Sequence, residues 1–181
     1  MCKALCNLAR RMFAPLLTTQ SFTTMSIIEE RILAAGYQLP QPPAAAGLYV
    51  PAMKVGNIVY TSGQLPLKDG ALVELGGRGA VSDATLNEAA EASRVAVLNG
   101  LAAIKSVAGS LEAIQQIVKL TVYVASSDGF SMQHMVANGA SSLLNTIFQE
   151  NGVHVRSAIG VKLLPLNASI EVELLVLLSE Q

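Results

Sequence analysis

The sequence predicts a single α+β domain in which one β-sheet is covered on one side by two helices. Three observations predict it. The elements run two strands, helix, strand, helix, two strands, with no internal repeat and no linker rich enough to separate domains. The segments 85–107 and 130–150 read as helices, the first with apolar residues at helical spacing, while their neighbours alternate or run in β-branched blocks. Half of the residues (51% of 181) are hydrophobic, enough to bury a sizeable core without disulfides or metals.

The domain is expected to span residues 26–181. Residues 1–28 contain Lys3, Arg10 and Arg11 but no acidic residue, mixed with Leu, Ala, Phe, Ser and Thr, the composition of a mitochondrial presequence. The competing reading starts the protein at Met25 and makes 1–25 a disordered extension. The expected location is accordingly mitochondrial or cytoplasmic.

From Ser26, SIIEERILAAG reads as a short helix with a Ser26 cap, Glu29 three residues on and Gly36 closing it. Pro40, Pro42 and Pro43 then enforce extended chain. Val55-Gly56-Asn57 is a turn signal between Leu48–Lys54 and Ile58–Gln64, which predicts a hairpin. Residues 66–83 are glycine-rich and expected to be irregular. The helix 85–107 carries small residues on one face, suited to close packing on a sheet. A strand is expected at 117–124, a helix at 130–150 ending before Asn151-Gly152, and two final strands at 153–162 and 169–178 joined around Pro165 and Asn167.

Charges are few and balanced, net -1, with no basic stripe of the kind that nucleic-acid binding needs. No apolar run is long enough for a membrane helix. Both cysteines, Cys2 and Cys6, lie in the first six residues, and His134 and His154 belong to no ligand spacing, so no metal is expected.

The most apolar stretch, residues 153–178, nevertheless contains Arg156, Glu171 and Glu173. Strand alternation predicts a core face of Val153, Val155, Ser157, Ile159 and Val161 and a second face of His154, Arg156, Ala158, Gly160 and Lys162, with Ala158 and Gly160 leaving room beside Arg156. The last strand is read as its partner, presenting Glu171 and Glu173 to Arg156. A guanidinium there needs a carboxylate, supplied either by one of those glutamates or by a small-molecule acid. Hydrophobic residues on both sides of the last strands call for a cover over the open sheet face, most simply a closed symmetric oligomer.

VYTSGQLP at 59–66, VKLTVYV at 118–124 and VRSAIGVKLLPLNASIEVELLV at 155–176 resemble the signature blocks of the RidA family, also called YjgF/YER057c/UK114, in a divergent branch. The resemblance spans roughly residues 47–178. It implies a chorismate-mutase-like subunit, a homotrimer with clefts between neighbouring subunits, and cofactor-free hydrolytic deamination of reactive 2-imino/enamine acids to 2-keto acids and ammonia. By that resemblance Arg156 holds the substrate carboxylate and Glu171 orients or activates water, while Tyr49, Ser62, Gly63, Asn138 and Ala158 line the cleft. Extra residues between Phe130 and Arg156 leave Gly139 or Ser141 as alternatives to Asn138. Gly160, often glutamate in relatives, could widen the pocket. A carboxylate-binding or protein-binding trimer without turnover is the alternative function, and a ribonuclease or translation inhibitor a further one.

Other features carry less. Gly76-Gly77-Arg78-Gly79 lacks phosphate-loop spacing, Tyr60, Tyr123 and Phe130 read as core, His134 as helix surface, His154 as rim, and Asn167-Ala168-Ser169 as a chance sequon.

Overall fold

In the computed structural model, which describes residues 26–42 and 47–180, helix α1 (Ile27–Ala34) opens the chain. Ser26 Oγ accepts from Glu29 N, and Gly36 (φ +86°) follows the last turn, as the capping pattern predicts. Strands β1 (Ala52–Val55) and β2 (Ile58–Thr61) form the expected antiparallel hairpin, with Gly56 at φ +61° in its turn. Residues 66–83, expected to be irregular, contain a small ribbon of β3 (Leu67–Lys68) and β4 (Ala71–Leu72). Then come α2 (Leu86–Ala108), β5 (Ile114–Ala125), α3 (Gln133–Phe148), β6 (Val155–Val161) and β7 (Ile170–Leu178). The expected extension 1–25 lies outside the described residues.

The main sheet has the order β1-β2-β7-β5-β6. Strands β5 and β6 are parallel, as the crossover through α3 requires, and the other pairs are antiparallel. This corrects one expectation. The final two strands are not partners, because β5 lies between them and contributes one edge to each.

Helices α2 and α3 cover one face of the sheet, and β7 points Ile170, Val172, Leu174, Val176 and Leu178 into that core. The helices approach closely at Gly139, where an added Cβ would lie 2.0 Å from the Ala90 carbonyl oxygen; Ser93 Oγ donates to Ala90 O (2.7 Å) and Val136 O (3.3 Å) beside it. Alanine favours a helix by about 1 kcal/mol over glycine. Here that gain loses to the clash, since a backbone oxygen cannot swing aside. Gly139→Ala is expected to destabilise the fold by about 2 kcal/mol net, as overpacking does, and to lower Tm by roughly 4–8 °C in a calorimetric melt.

The faces of β6 are the reverse of those expected. Ala158 packs against the core, Arg156 reaches α3, and Gly160 faces Gln133; Val155 (65% exposed) and Ile159 (40% exposed) lie on the open face of the sheet. A two-residue period fixes which side chains share a face but not which face is buried. Met53, Val55 and Tyr60 lie exposed on the same open face, in register with Leu175 and Leu177.

Candidate functional site

The sequence-derived residues fall into two groups. On the open face, β7 presents Glu171 and Glu173 beside Tyr123 and Thr121 of β5. The Tyr123 hydroxyl donates to Glu173 Oε2 (3.2 Å). Burial, and secondarily the neighbouring Glu173 charge, push the Glu171 carboxyl above its ordinary value. Tyr123 is raised too, by burial first and then by Glu173. The Glu171 side chain crosses Gly63 closely, so that an added Cβ there would sit 1.8 Å from Oε1 and the carboxylate would have to move from its present place. Ser62, next to it, donates to Val50 O (2.7 Å), and Tyr49, Val50, Met53, Tyr60, Thr61 and Ser62 line a shallow, open, largely apolar depression of about 400 Å³.

The second group lies on the helix side, at the outer edge of the sheet. Arg156 Nη1 donates to Asn138 Oδ1 (2.9 Å) and Ser141 Oγ (3.0 Å), and Nη2 donates to the His134 carbonyl oxygen (3.2 Å). Asn138 and Ser141 lie one turn apart on α3, so both reach the same guanidinium. Gly139 does not, because it is packed against α2 at Ala90. Ala158 follows Arg156 on the same strand face, half-buried against the core.

Two expectations are corrected here. The described residues form three ion pairs, Arg94–Glu91, Lys105–Glu29 and Lys162–Asp128, and Arg156 is in none of them. Glu171 and Glu173 cannot reach it, being on the opposite face and two strands away, roughly 10 Å laterally. The space beside Gly160 is also not ligand space. Gln133 fills it, its Nε2 donating to Phe130 O (2.8 Å) and Ser126 Oγ (3.2 Å).

A guanidinium has five N–H donors. Acceptors of the described residues engage Nη1 twice and Nη2 once, which leaves Nε–H and one Nη2–H, two donors, for something else. One carboxylate takes two.

The sequence reading missed the role of His154. It is half-buried beside Arg156; its Nε2 lies 3.0 Å from Ser141 Oγ and its Nδ1 2.6 Å from the Gly152 carbonyl oxygen, so it is joined to the Arg156 cluster through Ser141. The available signal was its position two residues before Arg156, on the same strand face.

The sequence profile described as "YjgF/chorismate_mutase-like, putative endoribonuclease" matches residues 29–178, nearly all of the fold just described. The chain belongs to the YjgF/chorismate-mutase-like family. Within it, the chain is similar to Protein TCP17 of Trypanosoma cruzi, 37% identical over 84% of this chain and 98% of that protein. It is 29% identical to the mitochondrial protein mmf1 of Schizosaccharomyces pombe, over 74% of this chain and 70% of that one. The solved structure of Atu1372 from Agrobacterium tumefaciens, a protein of unknown function, superposes with a TM-score of 0.77 at 37% identity, covering 84% of this chain and 93% of that one. For a YjgF-family chain this supports the fold and leaves the chemistry to the site.

Proposed function

We propose that this YjgF-family protein hydrolyses 2-imino acids and their enamine tautomers to 2-keto acids and ammonia, in clefts formed between copies of the chain arranged as a closed trimer. The observation that carries the reading is the division of the site. One copy holds a carboxylate anchor with two open donors at one edge and face of its sheet, and a half-buried carboxylate of raised pKa on the other face. The open face leaves Met53, Val55, Tyr60, Val155 and Ile159 exposed, an apolar surface that a second copy would cover, and that packing would bring the two groups into one cleft.

The chemistry asks little more. Arg156 holds the substrate carboxylate through Nε–H and Nη2–H and so fixes the adjacent imine carbon. That carbon is electrophilic once its nitrogen is protonated. Glu171 accepts a proton from water as the water oxygen bonds to the carbon and the C=N π pair moves to nitrogen. Glu171 then returns that proton to the nitrogen, the C–N bond breaks to release ammonia, and the hydroxyl gives up its proton to Glu171 or to water, leaving C=O. Glu171 has a pKa raised toward neutrality, the direction that suits a general base. Gly63 lies against the Glu171 side chain, Tyr49 and Ser62 line the open depression on the same part of the sheet, and Asn138 and Ala158 flank the anchor.

The direct test generates an imine with an amino-acid oxidase or a serine/threonine dehydratase and traps it with semicarbazide. Faster imine loss with this protein supports the reading; no acceleration by a folded oligomer, together with 2-keto acid binding, selects a carboxylate-binding protein instead. The nuclease named in the family description finds little support here, because the net charge of -1 comes with no basic stripe to hold a phosphate backbone.

The pH profile gives a second check. Activity requires ionised Glu171, so it falls as pH drops through that pKa, and burial with Glu173 moves the fall to higher pH. Glu173→Gln removes the second of these causes and is expected to shift the acidic limb of kcat/KM to lower pH. An unchanged limb would separate the profile from Glu171. The acid-free segment 1–28 and the mitochondrial mmf1 relative support import into mitochondria, which a fluorescent reporter fused after residue 25 would check.

A further inference from the structure

We propose that Ser141 and His154 are positioning residues that set the orientation of the Arg156 guanidinium and thereby the affinity of the site for a carboxylate. The inference rests on the anchor role given to Arg156 above and names what holds that anchor in place.

The direction of each hydrogen bond can be worked out. The Gly152 carbonyl oxygen can only accept, so His154 Nδ1 carries a proton. In the neutral imidazole Nε2 is then an acceptor, and the Ser141 hydroxyl donates to it. With its one proton committed, Ser141 Oγ has only lone pairs left for Arg156 Nη1. The result is one chain of donors running Arg156 to Ser141 to His154 to Gly152, each bond polarising the next.

The far end of the chain is fixed. Gly152 is buried, and an added Cβ would lie 2.4 Å from the Leu144 carbonyl oxygen, so the backbone turns tightly onto α3 at the point where its carbonyl meets His154. His154 and Arg156, two residues apart, project from one face of the chain, and the Ser141 hydroxyl fits between them from the helix. Asn138 holds Nη1 from a second side, and His134 O takes one Nη2 proton. These contacts pin the plane of the guanidinium and leave Nε–H and one Nη2–H without an acceptor among the described residues. Without Ser141 the long arginine side chain regains rotamers, and a carboxylate must pay for ordering them.

The experiment measures pyruvate binding to the full chain by titration calorimetry, at one pH, with Arg156→Ala, Ser141→Ala, Ser141→Thr, His154→Phe and His154→Gln, alongside a thermal melt of each. Loss of binding is expected with Arg156→Ala. Ser141→Ala and His154→Phe are expected to weaken binding about tenfold each, the size of one charge-assisted hydrogen bond. Ser141→Thr keeps the hydroxyl, and His154→Gln keeps an acceptor for it, so both are expected to recover affinity to within about threefold of wild type. In turnover assays the Ala and Phe changes raise KM more than they lower kcat. Unchanged affinity in Ser141→Ala, with Arg156→Ala still inactive in binding, overturns the positioning role and leaves the anchor standing. So does a loss that the Thr and Gln variants fail to recover. Full pyruvate binding by Arg156→Ala overturns the anchor and this inference with it.

Discussion

Arg156→Ala is expected to lower kcat/KM for imine hydrolysis by between about 30-fold and 4,000-fold, the range that follows from 2–5 kcal/mol for truncating one member of a hydrogen-bonded charge pair. The substrate carboxylate would lose a bidentate partner in a site whose other polar groups on α3, Asn138 and Ser141, are already bonded to the arginine they serve. Arg156→Lys keeps the charge but not the fork, and is expected to fall between wild type and alanine. Stability should change little. Arg156 stands at the sheet edge, makes no ion pair among the described residues and is partly exposed, so its removal leaves no buried carboxylate behind. A melt at the wild-type temperature together with lost turnover would place the effect in the site. Full activity in the alanine variant would remove the mechanism.

Mixing two inactive variants is expected to restore activity. Arg156 and Glu171 lie on opposite faces of one sheet, separated by β5, so no single copy can place both against one substrate. If each cleft takes Arg156 from one copy and Glu171 from its neighbour, Arg156→Ala and Glu171→Gln chains refolded together at equal amounts would leave roughly one cleft in four with both residues intact, by random assortment in a cyclic assembly. The measured rate should therefore approach a quarter of wild type, although each variant alone is nearly inactive. Recovery no greater than the summed rates of the two variants would show that the two groups do not share a cleft.

Local chemistry made much of the fold legible. The Ser26 cap with Gly36, the Gly56 turn and the helical spacing of 85–107 each act within a few residues, and each reappears in the structure at or near its expected place. The ribbon of β3 and β4 was not legible, since two-residue strands carry no periodicity. At the site, the residue types were readable and the neighbours were not. Arg156 in an apolar strand announced a need for acceptors; that they are Asn138, Ser141 and the His134 carbonyl depends on where α3 crosses β6.

The amino-acid sequence by itself determined which side chains share a strand face, because alternation is a property of the extended chain. It could not determine which face meets the helices. That was decided when β7 inserted between β2 and β5 and α3 crossed over to make β6 parallel to β5, turning Arg156 toward α3 and leaving Val155, Ile159 and Glu171 on the open side. The separation of Arg156 from Glu171 is thus a consequence of strand order, a non-local pairing that the residues flanking either group do not encode.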